Sequence, residues 1–341
     1  MRATENKIVI TMAILVTGAT GFIAPWIVFY LLQEKYQVIG TVRSHGKAER
    51  PFELSFEIIK DISDPKAFES LFKKRSKEID VVLHTASPVV LNTNDYEKDL
   101  LIPAINGTKG ILNAVRRYGN VKKIIITSSY VTMVDFAHSS DGSLVFTEKD
   151  WSPVTWEGCQ TNAVNGYCGS KKFAEQETWK FAKEACISLT TINPVFVFGP
   201  QKLDEDVGPQ LNVSNEIINN LLHNKPGDGM EPDHHASYID VRDVAKAHLV
   251  TFQKGLPGEG LGLSNNRFGS QDILDILNER FPYLNISKGP EPGKGDINPG
   301  AIFDNKHSRD VLGFPFINLE QSVYDTAAQV LKKDGLLKYM G

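Results

Sequence analysis

Thr17-Gly18-Ala19-Thr20-Gly21-Phe22-Ile23-Ala24 is a glycine-rich turn set between two apolar runs. The run before it, AILV at 13–16, is short and unbroken, as a buried parallel strand requires. The run after it, WIVFYLL at 26–32, is long enough for a buried helix. Strand, tight turn and helix in succession present backbone N–H groups at a helix start, where the helix dipole favours a phosphate. In this reading Gly18 makes the turn and Gly21 lets a pyrophosphate approach the backbone, while Ala24 is small enough for the helix to sit on the strand. The spacing is G-x-x-G-x-x-A, one position away from G-x-G-x-x-G, and a plain loop has the same composition. The flanking strand and helix are what favour a dinucleotide site.

The end of the next strand points to the form of the dinucleotide. Residues 36–42 (YQVIGTV) read as strand two, whose end carries an acid for the ribose 2′-hydroxyl in NAD enzymes. Here the next residue is Arg43, with Lys47 shortly after and no acid between them. The planar fork of Arg43 suits a 2′-phosphate, so NADPH is favoured over NADH; a solvated basic loop is the plain alternative.

The chain has 341 residues with 37 basic and 41 acidic side chains, a net charge of −4. That balance offers no basic face for nucleic acid and no polybasic membrane patch. At 41% hydrophobic and 23% charged, the composition is that of a globular protein with a sizeable core, suited to one large α/β domain and a smaller appendage. Cys159, Cys168 and Cys186 are few, odd in number and lack metal spacing, which indicates a reducing, cytoplasmic setting. Residues 1–11 are mixed polar, without the pattern of a signal peptide, and read as an extension ahead of the first strand. No apolar run approaches the length of a membrane span.

Further along, 56–62 reads as a third strand ending in Asp61-Ile62, beside the adenine of a doubly wound sheet, with a helix over 65–75. A fourth strand runs from 80 into a loop over the cofactor; its His84 reads as a packed strand-end histidine. Apolar spacing predicts a long helix over 99–118, with Pro103 near its start and Asn106 buried and hydrogen-bonded. A fifth strand ends in three hydroxyls, Thr127-Ser128-Ser129, and strand carboxyl ends are where α/β sheets bind ligands. After an irregular loop over 141–162, a helix to about 185 places Tyr167 and Lys171 one turn apart on one face. Tyr118 and Lys122 have the same spacing, but Gly119-Asn120 breaks that segment. The sixth strand spans 187–193. Beyond Pro200 the alternation stops, except that 238–254 returns to the sheet. Asp233-His234-His235 reads as solvated loop, so no metal is expected.

With these motifs assembled, the chain resembles the extended short-chain dehydrogenase/reductases. Within them it is similar to the fungal NADPH-dependent methylglyoxal and 3-methylbutanal reductases, relatives of the plant dihydroflavonol reductases. The resemblance is carried in order by TGATGFIA (17–24), TVRSHGK (41–47), LHTASP (83–88), DLLIPAINGTKGIL (99–112), ITSSYV (126–131), NGYCGSKKFAE (165–175), NPVFVFGPQ (193–201) and YIDVRDVAKAHL (238–249).

The resemblance implies a Rossmann-type doubly wound parallel sheet over 12–200 with a smaller C-terminal substrate lobe over 201–237 and 255–341. It implies a triad in which Ser129 holds the substrate carbonyl oxygen, Tyr167 gives that oxygen its proton, and Lys171 lowers the tyrosine's pKa and binds the ribose. Asn106 matches the place where related enzymes hold a proton-relay water. The matching cofactor positions are Gly18, Ala19, Thr20, Gly21, Phe22, Ile23, Arg43, Lys47, Asp61, Ile62, Val197 and Ser214. Tyr130, Val134 and Val164 flank the triad and are expected to shape the substrate pocket. The expected activity is NADPH-dependent reduction of small aldehydes and ketones by a monomer or homodimer. A steroid- or flavonoid-type reductase shares every catalytic residue. A nucleotide-sugar epimerase usually carries an acid where Arg43 stands, and a non-catalytic NADPH sensor tends to lose the Tyr-x-x-x-Lys pair.

Overall fold

The computed structural model describes residues 12–44, 46, 54–87, 93, 95–230, 232–296 and 300–338. The decisive turn joins β1 (Ala13–Thr17) to α1 (Ala24–Gln33), followed by β2 (Gln37–Val42), β3 (Ser55–Ile58), α2 (Glu69–Arg75) and β4 (Ile79–His84). Next come α3 (Ile102–Tyr118), β5 (Lys123–Thr127), β6 (Val145–Thr147), α4 (Ala163–Ala185), β7 (Ser188–Pro194) and β8 (Phe196–Phe198). Then follow α5 (Val213–His223), β9 (His235–Asp240), α6 (Val241–Lys254), β10 (Glu259–Leu263), β11 (Asn266–Gly269) and α7 (Ser270–Arg280). The tail holds β12 (Ile302–Asp304), α8 (Lys306–Leu312) and α9 (Leu319–Lys333).

Seven of these strands form one sheet in the order β10-β7-β5-β4-β1-β2-β3, and every pairing in it is parallel. The order reverses at β1 and β4, the switch point at which doubly wound sheets bind ligands. Alternation along the strands divides the core. Ile14 and Val16 face α1 and α6, whereas Ala13 and Leu15 face α2, α3 and α4. A third core lies in the smaller lobe, where Ile218, Phe268, Leu274 and Val323 join α5, β11, α7 and α9.

Several boundaries differ from the sequence reading. β3 stops at Ile58, because Asp61 takes the N–H and hydroxyl of Ser63 in a side-chain-capped turn. α2 begins only at Glu69, after turn bonds from Ala67 N–H to Asp64 and from Glu69 N–H to Lys66. A wider π-type turn, Glu97–Leu101, precedes α3, and Pro103 is tolerated in the helix's first turn. β9 does not return to the large sheet: it lies between β8 and β11 in a three-stranded sheet, and α6 alone packs back against α1. Conversely β10, expected in the lobe, is the edge strand of the large sheet beside β7.

Two contacts tie the tail to the centre. β12 pairs in parallel with β6 from the irregular loop, and the N–H of Ala301 donates to the Ser139 carbonyl at 2.8 Å. Arg242, at the start of α6, bridges Asp240 (2.7 Å) and Asp325 on α9 (2.6 Å).

Candidate active site

The β1–α1 turn is held from below and open above. Gly18 has φ +65°, and a Cβ there would meet Ala86 at 3.2 Å, so glycine is required by both backbone and space. Its N–H donates to Thr41 Oγ1 (3.1 Å) and that of Ala19 to the Thr41 carbonyl (2.9 Å), fixing the turn against β2. Gly21 N–H returns to the Gly18 carbonyl at 2.9 Å. The N–H groups of Thr20, Phe22 and Ile23 take no partner among the described residues, while Phe22 and Ile23 pack their side chains on the core below. Unpaired donors at the start of a helix, over a glycine cradle, fit a pyrophosphate.

Arg43 follows β2 directly and is exposed, one strand away from the turn. Lys47 lies outside the described residues. Asp61 is exposed at the end of the β3 segment, its carboxyl held below the usual carboxylate range by the two bonds from Ser63. Ile62 beside it packs on the α2–α3 side of the core. Val197 and Ser214 meet each other: the Val197 N–H donates to Ser214 Oγ at 3.2 Å, joining β8 to α5.

The three hydroxyls at the end of β5 go to three different partners. Thr127 donates to Nε2 of buried His248 (2.8 Å), whose Nδ1–H donates to the Val244 carbonyl (2.8 Å). Ser128 donates to Glu175 (2.5 Å). Ser129 Oγ accepts the Val131 N–H at 3.4 Å, capping the following turn, Tyr130–Thr132, and its hydroxyl lies close enough to Tyr167 on α4 to favour the phenolate there. Asn162 caps α4 by accepting the Asn165 N–H at 2.9 Å. The helix then carries Tyr167 and Lys171 on one face, with the Lys171 ammonium 5.9 Å from the centre of the Tyr167 ring.

The electrostatics of this pair differ from expectation. Burial raises the Tyr167 hydroxyl above its ordinary value, and the hydroxyl of Ser129, not the charge of Lys171, pulls the other way. Burial also brings the Lys171 ammonium down to about 8. Asn106, on α3, is half-buried rather than buried, and its side chain has no hydrogen-bond partner among the described residues. Of the three pocket candidates, Tyr130 stands edge-on to Phe303 at 5.2 Å, Val134 is 1% exposed and Val164 is 50% exposed.

His84 is the packed strand-end histidine expected, though its partner was not foreseen, and Glu175 escaped the sequence reading. His84 bonds Thr17 at 2.9 Å and is held neutral, its pKa brought down to about 4 by burial and by the charge of Lys171. Glu175 is 4% exposed beneath the triad. Its signal was in the spacing, since Tyr167, Lys171 and Glu175 recur every four residues and so share a helix face. In the Asp233-His234-His235 stretch, His235 is held between Asp233 (3.1 Å) and Asp296 (2.8 Å). Among the described residues no cluster of three His, Cys, Asp or Glu could hold a metal ion, and no helix is long and apolar enough to cross a membrane.

Comparison with known proteins bears on the same features. Residues 14–261 match the model of the NAD dependent epimerase/dehydratase family. An NADPH-dependent methylglyoxal reductase of Saccharomyces cerevisiae is 49% identical over 342 residues, covering 95% of this chain and 99% of the relative. The crystal structure of the yeast methylglyoxal/isovaleraldehyde reductase complexed with NADPH superposes with a TM-score of 0.91 at 48% identity, covering 96% of this chain and all of that one (100%). Cinnamoyl-CoA reductase 1 of Arabidopsis thaliana is 34% identical, covering 94% of this chain and 90% of the relative. This chain thus belongs to the NAD dependent epimerase/dehydratase family, among the extended short-chain dehydrogenase/reductases.

Proposed function

We propose that the protein is an NADPH-dependent carbonyl reductase acting on small aldehydes and ketones such as methylglyoxal and 3-methylbutanal. The observation that carries this reading is the meeting of Ser129, at the carboxyl end of the sheet, with Tyr167 of α4, and Lys171 one turn further along the same helix with its ammonium 5.9 Å from the Tyr167 ring. The similarity to yeast reductases over nearly the whole chain supports the substrate class.

The free N–H groups of the Gly18–Ile23 turn bind the pyrophosphate, Arg43 the 2′-phosphate, Asp61 the adenine edge, and Lys171 the ribose hydroxyls. When bound, the dihydronicotinamide supplies the hydride. Ser129 holds the substrate carbonyl oxygen by donating to it, and Tyr167 delivers the proton to that same oxygen as it becomes an alcohol. Before substrate binds, the Ser129 hydroxyl lowers the Tyr167 pKa; with substrate in place its one proton goes to the carbonyl oxygen. Tyr130, Val134 and Val164 shape the substrate side, and the smaller lobe of α5, β11, α7 and α9 closes over it. The three cysteines are free thiols, in keeping with a cytoplasmic monomer or homodimer.

The test is oxidation of NADPH, with NADH in parallel, against methylglyoxal, 3-methylbutanal and a bulky aromatic ketone. Turnover of the small carbonyls that Tyr167→Phe abolishes is the expected result. NADPH binding without turnover on any carbonyl overturns the reading, and preference for the aromatic ketone moves it to the flavonoid-type reductases.

A further inference from the structure

Glu175 is a buried carboxylate with no Lys or Arg at ion-pair distance among the described residues. Five donors converge on it instead. Oε2 accepts from Ser128 Oγ (2.5 Å) and Asn193 Nδ2 (2.8 Å), and shares the Thr132 hydroxyl proton (2.9 Å) with the Ser129 carbonyl (2.9 Å). Oε1 accepts from Trp179 Nε1 (3.1 Å) and Thr191 Oγ1 (3.2 Å). These donors come from the end of β5, the turn after it, β7 and α4 itself, so one carboxylate fastens the catalytic helix to the strand that ends in Ser129. An ionised acid is acceptor-only and meets all of them, whereas a glutamine would turn two N–H groups towards donors. Holding an unpaired charge in such a place is costly unless it is fully hydrogen-bonded.

The position of the charge matters as well. Lys171 lies one turn before Glu175 on α4, and the groups around the ammonium leave this carboxylate as its counter-charge. From its own helix it faces the un-ionised hydroxyl of Tyr167. From β4 it faces His84, which is neutral. The cations of α3, Lys109 and Arg116, are engaged outward with Glu177 (3.4 Å) and Glu184 (2.8 Å). Burial pulls Lys171 down, and Glu175 is what pushes it back up.

Resting on the reductase reading, we propose that Glu175 is a positioning residue for the reduction. Its carboxylate locks the Ser129 end of β5 to α4 and keeps the Lys171 ammonium charged from one helical turn away. Glu175→Gln keeps the size but loses the charge and the acceptor at one oxygen, so the charge is read from the change in pH dependence and not from the size of the loss.

The experiment compares wild type, Glu175→Gln and Glu175→Asp in NADPH-dependent carbonyl reduction from pH 6 to 9.5. In wild type the rate falls on the alkaline side as Lys171 loses its proton near pH 8. In Glu175→Gln that limb moves to lower pH by about one unit, so the rate at pH 8 drops about tenfold relative to its value at pH 6. Glu175→Asp, which restores a carboxylate, returns the limb towards wild type. A loss in Glu175→Gln that is the same at every pH overturns the proposal, since it is what a purely structural bond would give. A second readout needs no turnover. Lys171 titrates lower in the fold than in the unfolded chain, so Tm rises with pH through the interval between those values. This rise begins near pH 8 in wild type, begins lower in Glu175→Gln, and is absent from both when Lys171→Met is added. Superimposable Tm curves for wild type and Glu175→Gln, or a wild-type rise that Lys171→Met leaves intact, refute it. Wild type that oxidises no NADPH with any carbonyl refutes the reductase reading instead, and the Tm series still decides the role of Glu175.

Discussion

The Thr17 hydroxyl donates to His84 Nδ1 at 2.9 Å, and everything else around that oxygen fixes the direction of the bond. Thr17 Oγ1 accepts the N–H groups of Thr85 and Ala86, each at 3.1 Å, which leaves its one proton for the imidazole. His84 therefore carries its ring proton on Nε2 and stays neutral. The end of β1, just before the glycine turn, is thereby latched to the end of β4 near Lys171.

Acid should undo that latch. The unfolded histidine takes up a proton near pH 6.5, whereas in the fold it resists until about 4. The stability it contributes is present above pH 6.5 and is lost as pH falls towards 4, by up to roughly 3 kcal/mol. Urea unfolding at pH 7 and pH 5 checks this. Wild type should lose more stability between the two than His84→Gln, and His248, held neutral in the same way, should behave alike.

Arg43→Ala should raise the KM for NADPH about ten- to a hundredfold, the range of a charge-assisted bond, and leave that for NADH nearly unchanged. Steady-state kinetics with both cofactors gives the ratio. An equal loss for both would remove Arg43 from the 2′-phosphate.

Ser129→Ala should lower kcat by about 10²–10³ through the lost donor at the carbonyl oxygen. It also removes the hydroxyl that holds down the Tyr167 pKa. Any limb of the pH–rate profile that reports Tyr167 should therefore move to higher pH, opposite to the shift expected at Glu175. Rate profiles of both variants under one set of buffers make the comparison.

Asp243 in α6 accepts the Ile317 N–H at 2.7 Å and is pushed up to about 7, first by burial and then by the carboxylate of Asp240. The fold keeps its proton through an interval in which the unfolded chain has lost it, so its effect runs against that of His84. Stability declines as pH rises from about 4 to about 7, by up to roughly 4 kcal/mol. Asp243→Asn still accepts from Ile317 and should raise Tm at pH 8 while leaving Tm near pH 4.5 unchanged. Calorimetry at the two pH values is the check.

What could be read from the sequence is what short-range pattern encodes. The AILV strand, the glycine turn, its helix and the Tyr-x-x-x-Lys face are each set within one or two turns of chain, and the structure draws them at the expected places. Strand membership is a different matter. Nothing in the residues of β9 or β10 says which sheet takes them, because the partners of β9 are β8 and β11 and that of β10 is β7. The electrostatics were equally hidden. The charge of Lys171 was expected to govern Tyr167, but the shift of each is dominated by burial, which only the packed structure reveals. Glu175 shows both sides: its spacing was visible, but its five donors come from four separate parts of the chain.

The pairing of β12 with β6 sets an order of events during synthesis. The turn, the hydroxyl-bearing strand and the catalytic helix all leave the ribosome before the tail does, and the seven-stranded sheet is completed by β10. The segment between Ser129 and Tyr167 has to wait. Its backbone partners, Ala301 and Ile302, and the Ser308 hydroxyl that donates to Glu148, arrive only near the end. A growing chain can thus present a nucleotide cradle while the segment between its hydroxyl-bearing strand and its proton donor is still unfastened.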